Sequence, residues 1–304
     1  MSLQRVIREG LGFAANYIAR EKLMKADLHC HTTLSDGSLG IEEVIAQAKR
    51  NGIDYLAITD HDCLSSLSRA TVLGQRYGIE IVPGVEFSAF DGKRESKAHI
   101  LCYVPKKPDR LEGLCVRNSE MRRQRGKKMA MKVLDRYPIT LENIVKYSSG
   151  SKAIYKGHIM HALMDYGYTT ELYGEIYDEL FDSKTGLCAV EVSNETISSP
   201  EVHFVLDLIH SAGGLAVMAH PRVFDNFELI DELAKDKKLD GIEVWHQSLK
   251  PGDEKTLLDL CERYGLIATG GSDFHGFYNH YPISLGYNLT PQESLNKILA
   301  HKNT

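Results

Sequence analysis

A chain of 304 residues with 43% apolar and 25% charged side chains can bury a substantial core in one large domain, or one domain plus an insertion, and is not a disordered or fibrous protein. Its net charge of -5 excludes broad nonspecific binding to nucleic acid and leaves phosphate recognition to a local basic patch. No apolar run approaches the roughly 20 residues that span a bilayer, no signal peptide opens the sequence, and six scattered cysteines without a Cys-x-x-Cys pair read as free thiols, so the expected setting is cytoplasmic.

Apolar residues at helical spacing (Val6, Ile7, Leu11, Ala15, Ile18) predict an amphipathic leading helix from Leu3 to about Leu23. An alternating rhythm follows: strand Lys25 to His29, helix Ile41 to Asn51, strand Tyr55 to Thr59, helix Ser65 to Tyr77, then strands Ile79 to Phe87 and Ala98 to Val104. Between 105 and 199 the rhythm is absent. Helices are expected there around Arg117, Arg122, Arg123 and Arg125, then at Leu141 to Tyr147, His158 to Tyr166 and Glu171 to Leu180. It resumes with helix Pro200 to Ala212, strand Leu215 to Ala219, helix Glu228 to Leu233, strand Gly241 to Trp245, helix Asp253 to Tyr264 and strand Leu266 to Thr269. Strands alternating with helices of about a dozen residues imply parallel pairing through right-handed crossovers. The expected architecture is an α/β barrel built from 1–104 and 200–304, with 105–199 a mainly helical insertion over one face.

Residues two apart in a strand point the same way, so His29 and His31 face together while Cys30 faces away. They sit at the C-terminal end of their strand, where parallel barrels place their sites. Other strand ends repeat the theme with Asp60-His61-Asp62, Glu86, His220-Pro221, His246 and Ser272-Asp273-Phe274-His275, and His99 lies in a further strand. Any one of these is unremarkable as a surface or core residue. Brought together, so many acids repel one another unless cations neutralise them, and mixed imidazole and carboxylate donors suit zinc, iron or manganese.

The segments Asp27-Leu28-His29-Cys30-His31-Thr32, Ser35-Asp36-Gly37, Ile58-Thr59-Asp60-His61-Asp62, Pro83-Gly84-Val85-Glu86-Phe87-Ser88, Ala219-His220-Pro221 and Gly271-Ser272-Asp273-Phe274-His275 resemble, in order, those of the polymerase and histidinol phosphatase (PHP) domain family. The resemblance implies a distorted seven-stranded, TIM-like α/β barrel around two or three divalent metal ions (Mn, Zn or Fe, with Mg compatible) that hydrolyses phosphoesters. Position by position it implies His29, His31, Glu86 and Asp273 at one metal, Asp36, His61 and His275 at a second, and His99 with His220 at a third that shares Glu86.

On this reading a metal-bridging hydroxide attacks phosphorus, His246 donates a proton or contacts phosphate, and Asp60 and Asp62 orient His61. Arg122 and Arg125, three apart on one helix face, with Arg222 and His158, are the expected substrate-phosphate contacts. His158 is preferred because the members with an inserted helical domain carry a Gly-x-x-His, to which Lys156-Gly157-His158 is an imperfect match. The expected reaction is hydrolysis of a phosphate monoester of a small metabolite, foremost a nucleoside monophosphate or 3',5'-bisphosphate. The alternatives are a 5'-3' exonuclease on short RNA, a histidinol phosphatase and a non-catalytic metal-stabilised module. No membrane or obligate protein partner is expected.

Overall fold

Three short strands, β1 (Ala26–Asp27), β2 (Tyr55–Leu56) and β3 (Glu80–Ile81), pair in parallel through helices α1 (Ile41–Arg50) and α2 (Ser66–Tyr77). The computed structural model of the chain describes residues 24–303, apart from the side chains of 194–198. The leading helix expected up to Leu23 lies outside the described residues. Both crossover helices bury one apolar stripe, Ile41, Val44, Ile45 and Ala48 in α1 and Ala70 and Leu73 in α2, against this sheet.

The single strand expected over Ile79 to Phe87 is two strands. Pro83 cannot donate to a ladder, and the chain changes sheets there: Val82 still donates to Leu56, whereas β4 (Gly84–Asp91) joins a second sheet. That sheet runs β4, β5 (Ser96–Tyr103), β6 (Leu215–Met218), β7 (Gly241–Trp245), β8 (Ile267–Gly270). The β4–β5 and β5–β6 pairs are antiparallel, against the uniformly parallel pairing expected, and β6, β7 and β8 are parallel. The short turn between β4 and β5 allows a hairpin where a parallel pair needs a long crossover.

The fold is therefore a mixed α/β arrangement of two sheets, not one closed sheet among the described residues. Isolated bridges join the two: His61 with Glu86 on one flank and Cys30 with Phe274 on the other. Period-two alternation gives the larger sheet two kinds of face. Val85, Phe87, Ala98, Ile100 and Cys102 pack into the core with helices α8 (Val202–Ser211), α9 (Phe227–Lys235) and α10 (Asp253–Tyr264), while Glu86, Ser88, His99 and Leu101 share the opposite face.

Between β5 and α8 lie helices α3 (Glu112–Arg136), α4 (Leu141–Val145), α5 (Lys156–Asp165), α6 (Glu175–Phe181) and α7 (Ala189–Ser198). Their apolar residues, among them Met129, Val133, Ile159, Leu163 and Phe181, form a cluster of their own that also takes in Tyr278. A final helix, α11 (Gln292–Asn303), which the sequence reading omitted, packs Leu295 and Ile298 beneath β1 and β8.

Candidate metal centre

The extended chain past β1 carries His29 and His31 on one side, both buried, while Leu28 and Cys30 enter the apolar core on the other. The chain after β8 passes directly over them. A Cβ on Gly271 would stand 2.3 Å from that of His29, so only glycine permits this approach, and it delivers Asp273 and His275 to the same point. Asp62, His220 and Asp273 hold left-handed backbone at φ 51°, 27° and 46°, strain of the kind that gathers at functional sites.

Glu86 stands at the middle, fully buried. Its Oε2 lies 3.4, 3.2 and 3.1 Å from His29 Nε2, His31 Nε2 and His61 Nδ1, and its Oε1 lies 2.9 Å from both His99 Nδ1 and His220 Nε2. Asp273 Oδ1 is 3.4 and 3.2 Å from His29 and His31 Nε2. Asp36 faces His61 Nε2 at 3.6 Å and His275 Nε2 at 3.4 Å. The nine residues fall into four overlapping donor groups: His31, Asp36, His61 and His275; His29, Glu86 and His220; His29, His31 and Asp273; His61, Glu86 and His99.

Two tests ask whether these donors fit cations. Donors about 2.0–2.1 Å from one ion at the tetrahedral angle stand roughly 3.3 Å apart, and His29 Nε2, His31 Nε2, Glu86 Oε2 and Asp273 Oδ1 show neighbour distances of 3.2–3.4 Å. Asp36 Oδ1, His61 Nδ1, Glu86 Oε2 and His220 Nδ1 are also buried without a hydrogen bond, although fold stability requires such atoms to be satisfied. His29 and His275 are prepared for ligation as well. His29 Nδ1 donates to Glu243 at 2.9 Å and His275 Nδ1 to the Asp273 carbonyl at 2.8 Å, which frees both Nε2 lone pairs. The donor set fits divalent cations.

The electrostatics agree. Burial alone would raise the carboxyl groups of Glu86, Asp36 and Asp273, but the imidazoles around them hold all three well below the usual carboxylate range. Burial favours a neutral His31, yet its hydrogen bonds to Asp273 and Glu86 push it up to about 10. Such a centre carries dense compensated charge out of water.

Above it opens a cavity of about 630 Å³ whose wall includes Asp36, His61, His99, Asp273 and His275. Lys97, Arg122, Arg125, Lys156 and Arg222 line it, as do Tyr155, Tyr173, Tyr177, Phe224, Tyr278 and Tyr281. His246 also faces it. Ser248 N–H and Oγ–H donate to His246 Nδ1 at 3.2 and 2.8 Å, which leaves the proton on Nε2, 3.3 Å from Asp273 Oδ2. A bulge between Glu243 and Trp245 makes this possible, since strict alternation would turn His246 away from Glu243's side.

Three expected roles, those of Asp60, Asp62 and His158, are placed differently, while Arg122 and Arg222 line the cavity and are each also held by an acid. Asp60 does not touch His61: its buried carboxylate accepts from Thr32 N, Thr32 Oγ1 and Ser35 Oγ at 2.7, 2.8 and 2.7 Å and holds the turn leading to Asp36. Asp62 accepts from Asn118 Nδ2 at 2.6 Å and Arg122 Nε at 2.9 Å, fastening α3 to the sheet. Arg122 spends further capacity on Ser88 Oγ. Arg222 is clamped by Asp253, at 2.7 Å through Nε and by a second bond through Nη2. His158 is off the cavity wall altogether. Its Nδ1 accepts from Tyr155 N–H at 3.2 Å, the reach-back of a helix third residue to its cap, and this turns the ring inward while Tyr155, Lys156 and Gly157 face the cavity.

The residue that sequence reasoning passed over is Glu243, fully buried in β7. The available signal was a lone acid among apolar neighbours in Gly241-Ile242-Glu243-Val244-Trp245.

A family model described as PHP domain matches residues 27–194. The phosphoribosyl 1,2-cyclic phosphate 1,2-diphosphodiesterase of Eggerthella lenta is 34% identical over 85% of this chain and 97% of its own. The 3',5'-nucleoside bisphosphate phosphatase of Chromobacterium violaceum is 30% identical over 82% of this chain and 86% of its own. A crystal structure from Bifidobacterium adolescentis, assigned as a metal-dependent phosphoesterase, superposes with a TM-score of 0.77 at 29% identity and covers 91% of this chain and 96% of that one.

Proposed function

This chain belongs to the PHP domain family and is a metal-dependent hydrolase of phosphate esters, and we propose that it removes phosphate from a small phosphorylated metabolite, with a nucleotide as the preferred class. The observation that carries the proposal is Glu86, with one oxygen turned to His29, His31 and His61 and the other to His99 and His220, beneath a cationic and aromatic cavity. His29, His31, Glu86 and Asp273 would hold one ion, Asp36, His61 and His275 a second, and His99 and His220 with Glu86 a third. Two or three manganese, zinc or iron ions, when bound, supply Lewis acidity and neutralise the charge of the ester phosphate.

The protein's own groups do the rest. His246 carries its Nε2–H at the cavity wall, placed to hydrogen-bond an oxygen of the substrate's phosphate. Arg125, Lys97 and Lys156 present positive charge to the substrate's phosphate oxygens, and the tyrosines give a planar group surfaces to stack on. The same reading takes the two sheets as one distorted barrel formed by 1–104 and 200–304, with 105–199 an insertion supplying specificity. The separate apolar cluster of the inserted helices supports that division. A cytoplasmic setting is part of the proposal, supported by six unpaired, buried cysteines. No helix among the described residues is long and apolar enough to cross a membrane.

A second reading, a phosphodiesterase opening a cyclic phosphate on ribose, is favoured by the 34% identity that extends over 97% of the Eggerthella lenta enzyme. The test is a panel with added Mn2+: a nucleoside monophosphate, a 3',5'-bisphosphate, a ribose cyclic phosphate, a dinucleotide and histidinol phosphate. Phosphate release from the first two supports the nucleotide reading, and turnover of the cyclic ester or the dinucleotide alone replaces it. No release from any member, with metal bound, sinks the catalytic proposal.

A further inference from the structure

Glu243 lies outside the cavity wall and outside every donor group, yet it touches two of the strand ends that build them. Its Oε1 accepts from His29 Nδ1 at 2.9 Å, and its Oε2 accepts from the backbone N–H of His220 at 2.7 Å. The first contact fixes which His29 nitrogen keeps the proton and so aims the Nε2 lone pair at Glu86 and Asp273. The second braces a backbone at φ 27° that a residue with a side chain adopts only when its surroundings insist, and it is this turn that carries the His220 ring to Glu86 Oε1. Side-chain direction at His29 and main-chain direction at His220 thus answer to one carboxylate. Neither contact reaches Asp36, His61 or His275.

We infer that Glu243 is a positioning residue for two of the ion sites and not for the third: it sets the donors contributed by His29 and His220 and leaves the Asp36, His61 and His275 set independent. The inference rests on the metal centre proposed above and adds to it an asymmetry that no ligand inventory contains. Substitution by glutamine keeps the volume, removes the charge and offers an N–H where one of the two donors now points.

The test is a calorimetric titration of chelator-stripped full-length protein with Zn2+, comparing wild type with Glu243→Gln. Loss of a carboxylate behind a ligating histidine weakens binding by about 10–100-fold. The expected result is that drop in the events assigned to His29 and His220, with one event at wild-type affinity that a further Asp36→Asn substitution removes. Equal weakening of all events marks a general structural role and overturns the inference, as does unchanged binding throughout. Should the glutamine variant not fold, Glu243→Asp carries the same comparison, because its shorter arm keeps the charge but cannot span both partners. Wild type that binds no Zn2+ refutes the metal centre itself, an outcome visible before any variant is made.

Discussion

Lowering the pH should weaken the fold through His158 in a window that can be worked out beforehand. The ring is buried at the start of α5 between Tyr155 and Tyr278, accepting a backbone N–H through Nδ1. Burial opposes its charged form, only partly offset by Asp36, and brings its pKa from 6.5 down to about 4. The unfolded chain therefore takes up this proton first as pH falls. The contribution is absent above about pH 6.5, grows toward a slope of about 1.4 kcal/mol per pH unit, and levels off below about pH 4. The loss amounts to about 2 kcal/mol at pH 5 and about 3 kcal/mol at pH 4. The assay is denaturant unfolding of wild type and His158→Gln across pH 4 to 8, since glutamine can still accept at the cap and all other titrations cancel in the difference. The variant should gain on wild type by those amounts as the solution is acidified. Parallel curves would show that His158 is solvated or freely protonated in the fold, and the reasoning would fail.

Gly271→Ala forces a side chain into the space of His29 Cβ; such overpacking costs about 1–3 kcal/mol and should appear as a lower unfolding midpoint together with weaker metal binding. Asp60→Asn replaces an acceptor of three bonds with a group that must donate, so a loss of roughly 1.5–3 kcal/mol and impaired ion binding at Asp36 are expected. Arg125→Ala should raise KM more than it lowers kcat, because the guanidinium lines the cavity away from the metal donors; an unchanged KM would remove it from the substrate site.

What was legible in the sequence follows the parity of strands. His29 and His31 stand two apart and share a face, and Glu86 and His99 share one across the β4–β5 pair. The same parity explains the misplaced aspartates: Asp60 and Asp62 flank His61 by one residue each, so their side chains leave on the other side, one toward the turn at Thr32 and one toward α3. Parity hid Glu243 as well, because the bulge after it brings both Glu243 and His246 to the centre, and no three-residue spacing reads as one face of a regular strand. In the helices the obstacle was capping. An imperfect match to a Gly-x-x-His motif put His158 on the cavity, whereas the cap interaction bends the ring inward and exposes the residues before it. The break at Pro83 was visible in the sequence, but an apolar run on both sides masked the change of sheet.

The buried acids divide into two sets that should answer differently to the same substitution. Asp36, Glu86 and Asp273 are surrounded by imidazoles, which overcome burial and hold them ionised. Asp27 and Asp60 are surrounded by backbone and hydroxyl donors, and burial pushes both up despite those bonds. Asp27 accepts from Ser272 N at 2.9 Å, Ser272 Oγ at 2.5 Å and Gly286 N at 2.7 Å, tying the loop that carries Asp273 to the segment before α11. An acid of the first set is held ionised by the imidazoles that a metal would share, so it adds to the metal-free fold near neutral pH as well as serving the site. An acid of the second set closes loops. Asp273→Asn should then abolish hydrolysis and weaken metal binding, and also lower the metal-free midpoint, because the imidazoles lose a carboxylate partner. Asp27→Asn should lower that midpoint by about 3 kcal/mol, or roughly 6–12 °C. Thermal unfolding with and without saturating Zn2+ separates the sets: added metal should raise the midpoints of wild type and Asp27→Asn well beyond the rise it gives Asp273→Asn, and an equal rise in all three would mean that Asp273 belongs to the scaffold and not to the chemistry.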